Sequence, residues 1–235
     1  MWWLAPYGQL TRAMIPSVTI DLFSDIVCPW CYIGAKRLEQ ALAGLTSELT
    51  AEICYHPFFL DPALPKAGTS LPDKLRKKYG VDPRQLWGRV EGAARESGLE
   101  LDLSRQTMTY PTDAAHTLLR HAHAKGTQLA LADAFFRSYF VDAQSIADEQ
   151  LLASIAQGYG FTREEALELA TCATELELTR EEALSAAQGG IRGVPFFIFD
   201  GRFAVSGAQQ VSILQAALRK ALERPTLSEP PPPGP

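Results

Sequence analysis

Apolar and polar residues alternate first at Val18, Ile20 and Leu22 against Thr19, Asp21 and Phe23, the period of two that puts one face of a strand in a core. From Pro29 the period changes. Cys31, Gly34, Leu38, Ala41 and Leu45 recur at spacings of three and four, which is one face of a helix. Cys28 then falls at the N-terminal edge of that helix and Pro29 at its first position, where a missing N–H costs nothing. A second strand is expected at Glu52–Phe59, closed by Pro57 and the loop "LDPALP". From about Leu71 to Gln188 the patterns are helical, broken by "YGVDP", "SGLELD", "YPTD", "KGTQ" and "YGFTREE". Within this stretch Thr162, followed by Glu164 and Glu165, reads as a helix cap with acids in the first turn. Beyond it, Phe196–Phe199 and Arg202–Val205 flank Asp200-Gly201, a strong local signal for a tight hairpin. Ser206 and Gln209 then stand at capping-box spacing before a last helix ending near Glu223.

The predicted order is therefore strand, helix, strand, helical insert, hairpin, helix, without internal repeats. Residues 17–60 and 189–224 form one α/β unit and residues 61–188 a helical insertion. An N-terminal arm, residues 1–16, and a Pro-rich tail, residues 225–235, are left outside the fold, the tail because proline runs sustain neither helix nor ladder. Met14, just before the first strand, is a second candidate start.

Composition narrows the function classes. With 46% hydrophobic and 21% charged residues the chain reads as an ordinary globular protein, and a net charge of -5 offers no basic footprint for nucleic acid. No apolar run approaches the roughly 18 residues of a membrane span. The N-terminus has no basic stretch ahead of its apolar residues and no cleavage-site pattern after them, so a cytoplasmic address is expected. Four cysteines are too few for a disulfide scaffold; Cys54 and Cys172, isolated in apolar surroundings, are expected to be buried thiols.

The other two, in "SDIVCPWCYIG", carry the chemistry. A zinc site needs about two further ligands, and none is spaced for it: His121 and His123 would point about 200° apart on a helix. A redox pair uses more of what is there. A helix N-terminus favours a thiolate, the nucleophile of disulfide exchange, and this places the attack at Cys28. Cys31, one turn along on the apolar face, is shielded yet within reach, as a resolving thiol must be. Pro29 and Trp30, between them, are expected to tune the centre and meet substrate.

"FSDIVCPWCYIG", followed much later by "GVPFFIF" and "AVSGAQ", resembles the thioredoxin superfamily and, within it, the DsbA-like group of FrnE-type oxidoreductases. The resemblance runs from about Ser17 to Glu223. It implies a thioredoxin fold, a central mixed sheet with flanking helices, interrupted by an all-helical insertion domain. It also implies a cis peptide bond between Val194 and Pro195, with Pro195 against the redox pair and the Val194 backbone available to a substrate strand. The family often carries an acid on the first strand that moves protons to the resolving thiol. Matching on Phe-Ser gives Asp21 that role, with Asp25 a rival because it is nearer in sequence; a carboxylate in an apolar layer would have a raised pKa and could accept the Cys31 proton. His116 resembles an Ala-His pair of the family's insert and is a substrate-binding candidate, although a lone helical histidine is also a common packing residue. Pro111-Thr112 stands where relatives commonly have Asn-Thr. Trp87, Phe135, Phe136, Tyr139 and Phe140, at helical spacings, read as core rather than ligand box.

The implied activity is thiol–disulfide exchange on protein or low-molecular-weight substrates, with no tightly bound cofactor or metal and with glutathione as a candidate cosubstrate. A monomer or homodimer is expected. The same layout resembles kappa-type glutathione transferases and hydroxychromene-carboxylate isomerases. Those typically have Ser at the position of Cys28, so Cys28 points to redox work. A third reading is a chaperone-like peptide-binding module with incidental cysteines.

Overall fold

A computed structural model describes residues 15–223; the expected tail lies outside these, as does the expected arm apart from its last two residues. The first half-unit comprises β1 (Ser17–Ser24), α1 (Pro29–Ala43) and β2 (Thr50–Pro57). Then come β3 (Thr69–Ser70), α2 (Leu71–Tyr79), α3 (Pro83–Glu96), β4 (Met108–Thr109), α4 (Asp113–Ala124), α5 (Gln128–Phe140), α6 (Glu149–Ala156), α7 (Arg163–Thr171) and α8 (Ala173–Gln188). The chain closes with β5 (Phe196–Phe199), β6 (Phe203–Ser206) and α9 (Val211–Leu222).

The main sheet has the order β2-β1-β5-β6, with β1 parallel to β2 and antiparallel to β5. This is the thioredoxin arrangement expected from the motifs, with the helical segment inserted between β2 and β5. That segment is not wholly helical: Thr69 and Ser70 pair antiparallel with Thr109 and Met108. A two-residue pairing has no period that a sequence pattern could reveal.

Alternation in β1 is realised as read. Val18, Ile20, Leu22 and Ser24 are buried, and Leu22 faces Phe197 across the antiparallel register. Phe197 and Phe199 are fully buried, as are Leu38 and Ala41 of α1 and Leu214 and Leu218 of α9. Each leucine or phenylalanine among these stabilises the fold by about 1.5–3 kcal/mol. In the insert, Phe135, Phe136, Tyr139 and Phe140 are core, Tyr32 stacking on Phe136 at 4.9 Å, whereas Trp87 is half-buried. Cys54 and Cys172 are only partly buried, contrary to expectation, because Cys54 lies on the more open face of the edge strand β2 and Cys172 at the junction of α7 and α8.

Local signals fared unevenly. Thr162 forms its full capping box with Glu165. Asp200 and Gly201 both take positive φ, 49° and 63°, in the hairpin, and the Asp200 carboxylate accepts from the Thr19 N–H at 2.8 Å. Strand β2 begins at Thr50, two residues earlier than read, because the Thr50 N–H pairs with the Pro16 carbonyl. No capping box forms at the last helix: α9 starts at Val211 with Gln210 as cap, and Gln209 donates instead to the Ser206 carbonyl at 2.8 Å.

Two ties set the insert on the sheet. Arg37 of α1, 5% exposed, donates to Ser97 Oγ at 2.8 Å and to the Ala208 carbonyl at 2.7 Å, joining the C-terminal end of α3 and the loop before α9. On the other face, His56 of β2 bridges Asp21 of β1 and Glu182 of α8, each at 2.9 Å. Burial opposes the imidazolium charge, but Cys54, Glu182 and Asp21 outweigh it and raise the His56 pKa to about 10. The folded value lies above the ordinary 6.5, so this stabilisation is complete below that pH and is lost as pH rises through about 10. His56→Gln should therefore lower the denaturant midpoint at pH 6, with the gap to wild type closing towards pH 10; a gap that widens with pH would contradict the assignment.

A second prediction concerns α1. A Cβ on Gly34 would sit 2.7 Å from Pro195 Cγ and 3.4 Å from Phe197 Cζ. Gly34→Ala should cost about 1–3 kcal/mol by overpacking, read from denaturant unfolding; unchanged stability would show that the Pro195 loop yields freely.

Candidate active site

Cys28 is the N-cap of α1, in extended conformation at φ -95° and ψ 112°. Its N–H donates to the Asp25 carbonyl at 3.0 Å, and its own carbonyl accepts from Cys31 and Tyr32 at 3.0 and 3.3 Å. Pro29 occupies the first helical turn, half-buried, where its missing N–H leaves no bond unmade. The start of the helix, expected from the change of period, thus presents the first cysteine and carries the second one turn inward.

Both cysteines are free thiols and both are buried, Cys28 at 4% exposure and Cys31 at 1%. The Val194–Pro195 bond is cis. The Val194 carbonyl lies 3.9 Å from Cys28 Sγ, and Pro195 rests against α1 at Gly34. The structure thus brings Cys28, Cys31, Val194 and Pro195 together, with Pro29 and the partly exposed Trp30 at their edge.

Burial pushes the Cys31 thiol well above its ordinary pKa, and the neighbouring Cys28 adds to the effect. The Asp25 N–H and the Ser24 hydroxyl act in the opposite sense without overcoming it. Ser24 Oγ, wholly buried, has no partner at hydrogen-bond distance among the described residues, so it acts on Cys31 only as a nearby dipole. A proton is therefore held firmly at Cys31 until a neighbour can take it.

Of the two candidate acids, Asp25 and not Asp21 has the buried carboxylate. Alternation along β1 turns Asp21 away from the core, to the open face, where its carboxylate pairs with His56 and its side chain is 39% exposed. Asp25 follows the strand end and is 2% exposed. Its Oδ1 accepts from Thr112 Oγ1 at 2.9 Å and its Oδ2 from the Leu60 N–H at 2.8 Å. His116 Nε2 lies 3.7 Å from Asp25 Oδ1 and has no hydrogen-bond partner among the described residues. At 2% exposure, with Phe59 tilted over its ring at 5.8 Å, His116 stands behind Asp25 rather than on an open surface. Ser24, Leu60 and Thr112 escaped sequence reasoning; Thr112 had a signal, as the residue beside the Pro111 departure, while the Leu60 contribution is a backbone N–H and had none.

The model of the DSBA-like thioredoxin domain family matches residues 19–219, a span that includes every residue of this site. The chain belongs to that family. A structure described as a probable DsbA oxidoreductase from Streptomyces coelicolor is 34% identical, with a TM-score of 0.79, covering 88% of this chain and 92% of that one. The uncharacterized protein YwbO of Bacillus subtilis is 25% identical over 208 residues, 86% of this chain and 96% of its own length. The fold is shared more distantly with the cytosolic disulfide reductase DsbM of Pseudomonas aeruginosa, solved with GSH, at 18% identity and a TM-score of 0.62 over 87% and 98% of the two chains. It is also shared with a 2-hydroxychromene-2-carboxylate isomerase, at 18% identity and a TM-score of 0.66 over 86% and 95%. Among the described residues of this DsbA-like chain, no group of three or more His, Cys, Asp or Glu is arranged to hold a metal, and no helix is long and apolar enough to cross a membrane.

The raised Cys31 pKa sets an order of reactivity, since the thiolate is the reactive form. In the dithiol protein at neutral pH, iodoacetamide should modify Cys28 first. Cys31 in Cys28→Ser should react about tenfold more slowly, or less readily still, than Cys28 in Cys31→Ser. Peptide mapping reads both, and faster labelling of Cys31 would reverse the roles.

Proposed function

We propose that this protein is a thiol–disulfide oxidoreductase of the FrnE type, working through Cys28 and Cys31 on protein or low-molecular-weight thiols and disulfides. The observation that carries this reading is the meeting of a helix-capping cysteine, a buried second cysteine and the Val194 carbonyl, 3.9 Å from Cys28 Sγ, immediately before cis-Pro195.

In the reductive direction the Cys28 thiolate attacks one sulfur of a substrate disulfide, forming a mixed disulfide and releasing the first thiolate. Cys31, once deprotonated, attacks the Cys28 sulfur, forms the Cys28–Cys31 disulfide and releases the second thiolate. Two electrons pass from the pair to the substrate. Val194 offers backbone groups to an extended substrate segment. The Cys31 proton has to leave a buried site, and we assign that task to Asp25, whose backbone N–H faces Cys31 and whose buried carboxylate accepts from Thr112, with His116 Nε2 3.7 Å away. Asp21, held by His56 on the open face, has no part in it. A reducing cytoplasm fits reductant or glutathione-linked work, with glutathione as cosubstrate, better than bulk oxidative folding.

Equilibration against glutathione buffers, with Cys28→Ser and Cys31→Ser as controls, tests the reading. A reversible two-electron transition is expected in the wild type alone; its position near about -270 mV marks a reductant and near about -120 mV an oxidant. Absence of any Cys28–Cys31 disulfide across the whole range would end the proposal. In the same system, Asp25→Asn should slow closure of the disulfide about tenfold or more and flatten its pH profile, while Asp21→Asn should match wild type.

A further inference from the structure

Trp30 lies between the two cysteines and is partly exposed. The guanidinium of Arg89, on α3, sits over its ring, 5.8 Å from the centroid. A guanidinium stacked on an aromatic face keeps its in-plane N–H donors free for a carboxylate. Arg89 is exposed and makes no ion pair among the described residues. Seven of the other twelve arginines among the described residues do, Arg120, Arg180, Arg202 and Arg219 among them. The nearby acid of α3, Glu91, is turned to the Leu103 N–H, and Asp25 is buried with both oxygens engaged. The position of α3 is itself fixed, because buried Arg37 of α1 donates to Ser97 and to the Ala93 carbonyl. Exposed Arg192 stands two residues before Val194, also without an ion pair among the described residues. In a chain of net charge -5, Arg89 and Arg192 thus stand as exposed cations, one over Trp30 and one two residues before Val194.

We propose that Arg89, held over Trp30, is a specificity residue that selects disulfides bearing a carboxylate near the sulfur over neutral and cationic ones, with Arg192 adding to the same field. This rests on the oxidoreductase reading above. The chemistry is the exchange already described: the Cys28 thiolate takes one sulfur, the leaving thiolate takes a proton, and Cys31 completes the two-electron transfer; Arg89 binds the carboxylate and exchanges nothing. Specificity of this kind appears in KM and fades with salt, because the pair is solvent-exposed.

The test compares initial rates of reduction of glutathione disulfide (anionic), hydroxyethyl disulfide (neutral) and cystamine (cationic), with dithiothreitol recycling the enzyme. The readout is the ratio of kcat/KM for the anionic over the neutral disulfide. Arg89→Met should lower this ratio about threefold, a single exposed charge pair, mainly through KM. Arg89→Glu should lower it further and raise the rate with cystamine. Arg95→Met, which removes an equal charge elsewhere on α3, should leave the ratio unchanged. The wild-type ratio should also fall at high ionic strength. Equal effects of Arg89→Glu on all three disulfides, or a ratio indifferent to salt, would overturn the specificity role while leaving the oxidoreductase reading in place. Failure of the wild type to reduce any of the three would overturn both.

Discussion

The contact on which the site depends is the close approach of α1 to the loop carrying Val194 and Pro195. It is possible only where α1 has no side chain, because a Cβ at Gly34 would lie 2.7 Å from the Pro195 ring. With Gly34 in place, the helix can seat its first turn beside the Val194 carbonyl, and Cys28 and Cys31 become one centre with a strand end from the far side of a long insertion. The surrounding core, from Phe197 and Phe199 to Leu38 and Ala41, keeps helix and loop at that separation. A well-packed interior yields little to added volume, so this distance is a property of the whole unit rather than of the two loops that meet there.

The insert completes the site instead of merely covering it. Thr112, just ahead of α4, and the Leu60 N–H, in the loop after β2, supply the donors that let a carboxylate stay buried at Asp25. An unsatisfied buried carboxylate would be costly, and these bonds offset much of that cost. His116 approaches the same oxygen from α4 with an unpaired ring nitrogen. The surroundings of this carboxylate are thus assembled across the boundary between the thioredoxin core and the insert. On the opposite face the His56 bridge between Asp21 and Glu182 holds α8 to the sheet by charge.

Much of this was legible in the chain itself, wherever the determining physics is local. The period of two in β1, the change of period at Pro29, the Asp200-Gly201 turn and the Thr162 cap all follow from interactions spanning a few residues, and each appears in the structure. The capping box at Ser206 and Gln209 did not form, because Gln209 found the Ser206 carbonyl and the helix began later. Competition between two local bonds of similar strength is not settled by spacing.

What the sequence determined by itself was the order of strands and helices and the Cys28–Cys31 spacing, since alternation, helix spacing and the Cys-Pro-Trp-Cys stretch are local facts that survive any arrangement of the rest; the thioredoxin fold class followed from the resemblance those motifs carry. Tertiary structure alone decided which acid is buried. Asp21 and Asp25 are four residues apart, and the sequence admits either; strand alternation sends Asp21 to the open face, where His56 takes it, while the turn after β1 carries Asp25 inward to donors that come from Leu60 and Thr112. Burial and the partners that make it tolerable are supplied by residues remote in the chain, and no spacing rule can report them.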